Sequence, residues 1–204
     1  MVLEPVRCGD VLVQLARPEA GDLAVLLEAA VEEAPYWAEL WPSARALAEA
    51  VAAREVGGLR VLEVGSGLGL PALVAAAHGA EVTASDVDPA ALTYVLQSAR
   101  ASGLDVAVAE FDFAAPAGAL ADFDLVLAAD VLYVDASAAH LATALPQLLA
   151  PDGRALLTCP WRGQADRLAA ALPAGIRVAA RATVPAVSFR GQPMTIDLVE
   201  LARG

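Results

Sequence analysis

GLRVLEVGSGLGLPALVAAAHGAEVTASDVD, from Gly58 to Asp88, decides the fold. Val61-Leu62-Glu63-Val64 is a short apolar run of the kind that forms a buried parallel strand. It breaks into Gly65-Ser66-Gly67-Leu68-Gly69, a turn that glycines permit because they accept positive φ and carry no Cβ to block a ligand. A helical pattern follows from Leu70 to His78. Pro71 lies in its first turn, where a missing N–H costs nothing, and Gly79 stops it. Glu81 to Ser85 then reads as a second strand ending at Asp86. Strand, glycine turn, helix, strand and acid make a nucleotide-binding βαβ unit with a carboxylate placed for a ribose.

Outward from this unit the chain fits one domain, its 204 residues being enough to bury a core without disulfide staples. A hydrophobic share of 58% against 19% charged residues describes a compact globule rather than a disordered chain. No apolar run reaches the roughly 20 residues needed to span a bilayer. Met1 to Pro5 lacks the basic and apolar regions of a signal peptide. Two cysteines, Cys8 and Cys159, are too few for a disulfide framework and have no metal-ligand spacing. A cytoplasmic protein without a membrane partner, monomeric or weakly dimeric, is the expectation. The net charge of −12 argues against a nucleic-acid partner. All 13 cationic residues are arginine, and lysine and asparagine are absent, which genomic base composition explains along with the alanine load.

Taken in order, Val6 to Leu15 reads as a strand or hairpin, and Asp22 to Glu33 as an amphipathic helix with a solvated acidic face. Pro35-Tyr36-Trp37-Ala38-Glu39-Leu40-Trp41-Pro42-Ser43 packs three large aromatics into a short loop. Such a loop is either a hydrophobic plug or the wall of a ligand pocket. Ser43 reads as the cap of a helix over 44–54. Beyond the opening unit, Asp88 caps a helix from Pro89 to Ser102, which Gly103 ends. Strands are predicted at 105–109, 124–129, 154–159, 176–184 and 195–202, with helices at 137–149 and 164–172. Arg190 to Pro193 reads as a hairpin loop, which makes the last strand antiparallel to its neighbours. The predicted architecture is a doubly wound, Rossmann-like, seven-stranded and mostly parallel sheet with an antiparallel last strand. It forms a single domain over 1–204, with an extension over 1–34 ahead of a core over 35–204.

The glycine spacing is Gly65-x-Gly67-x-Gly69, shorter than the dinucleotide pattern, with Glu63 inside the preceding strand. An acid there works against a doubly charged pyrophosphate and suits a zwitterion with an ammonium group. Asp86 has acceptors enough for two ribose hydroxyls, or it caps the next turn. Asp112 and Phe113 are positioned for an adenine, or Phe111 and Phe113 belong to the core. Together, Glu63, Gly65, Gly67, Gly69 and Asp86 resemble the E-x-G-x-G-x-G motif of class I S-adenosylmethionine-dependent methyltransferases.

With Asp130-Val131-Leu132-Tyr133 after the fourth strand, and Trp41-Pro42-Ser43 before the first, the chain resembles the seven-β-strand protein-lysine methyltransferases. That family includes enzymes acting on the electron-transfer flavoprotein β-subunit and on chaperones. The resemblance implies S-adenosyl-L-methionine as cofactor. It implies that Trp41, Glu63, Gly65, Ser66, Gly67, Gly69, Asp86, Val87, Asp112, Phe113 and Ala129 surround it. It further implies that Asp130 and Tyr133 stand where the methyl acceptor enters, with Trp37 and Trp161 as an aromatic wall around a lysine stem. Asp130 can alternatively be a strand-end cap, and Tyr133 a core aromatic.

The implied reaction is in-line transfer to a neutral amine, which asks mainly for alignment. A lysine side chain of a protein is the leading acceptor. A small-molecule amine, or cofactor binding without turnover, are the alternatives. Cys159-Pro160-Trp161-Arg162 lies where family members vary, so the acceptor stays open at this point.

Overall fold

The computed structural model describes residues 1–19, 21, 35–116, 120–134, 136–160 and 162–204. The predicted helix over Asp22 to Glu33, and Trp161, lie outside these residues. The chain opens with an antiparallel hairpin, β1 (Val2–Cys8) and β2 (Val11–Arg17). A single 3-10 turn at Tyr36–Ala38 leads into α1 (Pro42–Ala52). The opening βαβ unit is β3 (Arg60–Val64), α2 (Leu70–Ala77) and β4 (Glu81–Asp86). After it come α3 (Pro89–Ser102), β5 (Ala107–Glu110), β6 (Phe123–Ala129), α4 (Ser137–Leu148) and β7 (Leu149–Cys159). The chain closes with α5 (Arg162–Ala171), β8 (Ile176–Val187) and β9 (Pro193–Arg203).

The main sheet has seven strands in the order β5-β4-β3-β6-β7-β9-β8. β5, β4, β3, β6 and β7 pair in parallel, and β9 runs antiparallel to both β7 and β8. The expected Rossmann-like sheet, with its last strand reversed, is therefore what the chain forms. The chain runs outward from β3 through β4 to β5 on one side, then crosses back to β6 on the other side of β3. The carboxyl ends of β3 and β6 thus flank the switch point, where open α/β sheets leave a crevice.

Alternation along each strand divides the core in two. Val61, Leu125, Leu127 and Leu156 pack with α1, α2, α3 and the amino-terminal hairpin. Leu62, Val64, Val126, Ala128 and Leu157 pack with α4 and α5 on the opposite face. The hairpin is docked by two serines of α3: Ser98 Oγ accepts from Ala16 N and Ser102 Oγ from Gln14 N, each at 2.8 Å. β1 and β2 thus share a core with the helices that follow.

Helix ends follow the sequence at α3, where Asp88 Oδ1 accepts from Ala90 N at 2.8 Å and Gly103 closes the helix at φ 68°. They depart from it at α1. The expected cap Ser43 lies inside the first turn and is fully buried, while Trp41 flanks the helix without capping it and Pro42 takes the first position. Proline's fixed φ starts that helix, which frees Ser43 for a tertiary contact.

Candidate active site

Gly65, Gly67 and Gly69 all sit in the left-handed region, at φ 60°, 52° and 72°. A side chain is excluded there twice over. A Cβ at Gly65 would come within 2.8 Å of Val131 Cγ1, one at Gly67 within 3.2 Å of the Trp37 carbonyl, and one at Gly69 within 2.8 Å of Val95 Cγ2. The turn is closed by Gly69 N donating to Ser66 O at 2.7 Å, and tied to β4 by Ser66 N donating to Ser85 O at 2.9 Å. Ser66 is buried and its hydroxyl has no hydrogen-bond partner. A buried orphan hydroxyl in a glycine turn is a polar group waiting for a ligand or a water.

Asp86, at the end of β4, accepts from Gly67 N at 2.8 Å through Oδ2 and from Asp88 N at 3.0 Å through Oδ1. Its carboxylate both ties the glycine turn to β4 and caps the following turn. An ionised carboxylate has about four acceptor sites, so beside the amides of Gly67, Asp88 and Val87 it keeps acceptor capacity for a ligand. Burial raises its pKa, opposed by the amides of Asp88 and Gly67.

Glu63 corrects the sequence expectation. It is 1% exposed, and its Oε2 accepts from Ala72 N at 2.9 Å, in the first turn of α2. Burial is the main cause that lifts its pKa well above the carboxylate range, with the Ala72 amide opposing and Asp86 adding. Glu63 is thus a buried helix cap, not an open negative charge selecting against a pyrophosphate.

Asp130, immediately after β6, adopts φ 58°, a left-handed conformation that aspartate tolerates better than most residues. Its N donates to Thr158 O at 2.9 Å, and Ser43 Oγ lies 3.4 Å from its Oδ2. Thr158 Oγ1 in turn donates to Ser43 O at 2.9 Å. Burial raises the Asp130 carboxyl to about 6, with the Ser43 hydroxyl acting against the shift. Gln164 Nε2 donates to Leu132 O at 3.0 Å and so holds the segment between Asp130 and Tyr133.

The aromatic residues separate into two groups. Trp37 is buried in the core, its ring 5.3 Å from that of Tyr94, beneath the glycine turn. This corrects the expectation that it walls a lysine stem. Tyr36, Trp41 and Tyr133 instead form the outer group, with centroids 6.2 Å apart for Tyr36–Trp41 and 6.3 Å for Tyr36–Tyr133. Trp41 Nε1 donates to Tyr36 O at 2.8 Å. Phe189, in the loop joining β8 to β9, completes this group with an edge contact to Trp41 at 5.3 Å. The sequence marks that loop as a turn only. A lone aromatic at a hairpin tip was the available signal, but nothing in the sequence says where the tip lands.

Val87 is exposed, Phe113 packs on the edge of the core, and Ala129 ends β6 beside Thr158. Asp112 is exposed and its Oδ1 accepts from Ala114 N at 2.7 Å.

A family model described as "Lysine methyltransferase" matches residues 24–168. The chain belongs to this family. It is 35% identical over 118 residues to the protein N-lysine methyltransferase METTL21A of Danio rerio, covering 53% of each chain. It is also 36% identical over 102 residues to a ubiquinone biosynthesis O-methyltransferase of Methylocella silvestris, covering 50% of this chain and 40% of that one. The chain spans about half the length, or less, of these curated relatives. Among solved structures, the fold matches the 16S rRNA methyltransferase RsmC of T. Thermophilus with AdoMet and guanosine. That match has TM-score 0.66 and 20% identity, over 98% of this chain and 50% of that one. The lysine methyltransferase match spans the glycine turn, Asp86, Asp130 and Tyr133. No helix among the described residues is long and apolar enough to cross a membrane.

Proposed function

We propose that this chain is an S-adenosylmethionine-dependent methyltransferase that modifies the side-chain amine of a lysine in a protein. The observation that carries the reading is Asp130. It is a half-buried carboxylate at the carboxyl end of β6, held by Ser43 and Thr158 across the switch point from the glycine turn. The residues present fit the cofactor: three left-handed glycines open the turn, Ser66 Oγ lacks a partner, and Asp86 keeps acceptor capacity. Gly65, Ser66 and Gly67 would hold the amino-acid end, Asp86 the ribose, with Val87, Asp112, Phe113, Ala129 and Trp41 around the base and the sulfur. Bound S-adenosylmethionine supplies an electrophilic methyl group on a sulfonium.

Asp130 orients the incoming amine by accepting its hydrogen bonds, and Tyr133 with Tyr36 borders the alkyl stem. Cation–π attraction contributes about 0.5–2 kcal/mol while the amine is still charged. An ordinary lysine pKa of about 10.4 means that the nucleophile must lose a proton before transfer. The rings are solvent-facing, so that proton passes to bulk water before transfer. The O-methyltransferase among the relatives supports a second reading, a small-molecule acceptor.

The two readings separate when the protein and methyl-labelled cofactor are incubated with an extract of the source organism. Label in protein, converted on hydrolysis to methyl-lysine and absent with Asp130→Asn, is the expected result. Label confined to small molecules sinks the lysine reading.

A further inference from the structure

The pairing of β9 with β7 ends at Cys159 and Asp197, but β9 continues with β8 through Ile196, Thr195, Met194 and Pro193. The β8–β9 hairpin therefore projects beyond the carboxyl edge of the sheet as an arm. Its tip is closed tightly: Ser188 N donates to Gln192 O at 2.9 Å, Gly191 N to Ser188 O at 2.9 Å, and Gln192 N to Ser188 Oγ at 3.1 Å. Gly191, at φ 72°, allows the turn. This tip holds Phe189 out with 60% of its surface exposed, while its edge meets Trp41. From there the rings run through Tyr36, 52% exposed, to Tyr133, 59% exposed, three residues from Asp130. Three separate segments thus contribute one run of neighbouring rings, largely solvent-facing, that ends at Tyr133 on the segment following Asp130.

We infer that this path docks an extended polypeptide segment, and that Phe189 receives an apolar side chain a few residues from the methylated lysine. The inference rests on the lysine reading above and adds the flank that the enzyme selects. An exposed aromatic path of this kind marks a binding surface rather than a folding requirement. With the stem bordered by Tyr133 and Tyr36 as proposed above, Phe189 lies a further two rings away, beyond Trp41. At about 3.3 Å per extended residue, that distance belongs to a neighbour of the lysine. A net charge of −12 favours a segment that carries the cation. The hydrogen-bonded tip is preorganised, so little ordering entropy is lost on docking.

An immobilised array of lysine-centred heptapeptides with apolar or polar flanks tests this, read for bound protein and then for transferred methyl label. The wild-type chain should bind and label apolar-flanked peptides in preference. Phe189→Ala should cut that preference about tenfold, and Phe189→Trp should keep it, with thermal melts showing both variants folded. Equal preference in wild type and Phe189→Ala overturns the docking role while leaving the lysine reading intact. Preferential binding without any label counts against the lysine reading and overturns the link to a methylated lysine, leaving only a peptide-binding surface at Phe189. No binding to any peptide overturns the inference outright.

Discussion

The Ser43 hydroxyl lies 3.4 Å from the Asp130 carboxylate, joining the first turn of α1 to the end of β6. Thr158, on the neighbouring strand β7, bonds both residues through their backbones, so three segments fix one carboxylate. Burial holds the Asp130 carboxyl at about 6, and Ser43 is the group that keeps it from rising further. Removing the hydroxyl with Ser43→Ala therefore moves the pKa upward. The acid limb of kcat/KM, followed from about pH 5 to about pH 9, should shift to higher pH, because the working form is the carboxylate. A uniform loss at all pH values would show that Ser43 serves packing alone.

The same shift carries a stability cost. The folded chain binds the Asp130 proton more tightly than the unfolded chain does, so stability falls as pH rises from the ordinary carboxylate range through about 6. Asp130→Asn removes the charge and keeps a residue that tolerates the left-handed φ. It should be more stable than wild type at pH 7, by on the order of 1–3 kcal/mol, while losing methyl transfer. The gain should fade as pH drops toward 4. Denaturant melts at several pH values check both signs.

Much of this was legible beforehand because it is local. The strand, glycine turn, helix and acid between Gly58 and Asp88 occupy adjacent positions, so spacing alone specifies them. The reversed last strand followed from Arg190 to Pro193 as a hairpin. What stayed hidden were encounters between distant segments. Trp37 and Trp41 are four residues apart, yet one faces Tyr94 in the core and the other faces Phe189 outside. Ser43 meets Asp130 across 87 residues of chain. Glu63 was read by its charge, but burial lifts its pKa and turns it toward the start of α2.

Gly69 tests whether the glycine turn is required by the chain itself. Its φ of 72° disfavours any side chain, and an added Cβ would press on Val95 of α3 at 2.8 Å. Gly69→Ala should cost about 1–3 kcal/mol of stability. Pairing it with Val95→Ala relieves the contact but not the backbone strain. The two changes should thus couple favourably by roughly 1 kcal/mol in a double-mutant cycle. Additive losses in denaturant melts would mean that α3 simply shifts aside.

The amino-terminal hairpin hangs on the serines of α3. Ser98→Ala leaves the buried Ala16 N–H without its acceptor at 2.8 Å, a cost of about 1–3 kcal/mol. Hydrogen exchange should quicken selectively along β2 (Val11–Arg17). Unchanged protection there would show that water replaces the hydroxyl.

Asp86 separates binding from scaffolding. Its carboxylate already accepts from Gly67 N and Asp88 N, so its geometry alone fits a structural tie as well as a ribose contact. Asp86→Asn preserves the shape but removes the charge and one acceptor. Bonds to a charged group contribute about 1.5–3 kcal/mol, so S-adenosylmethionine affinity should fall roughly 10- to 100-fold by calorimetry. The pH dependence discriminates further. Burial, the largest cause, raises the Asp86 pKa, so wild-type affinity should decline as acid protonates the carboxylate. The asparagine variant has nothing to titrate there and should show a flatter profile. Equal affinities and parallel profiles would reduce Asp86 to a turn cap, leaving the cofactor to the glycine turn and Ser66.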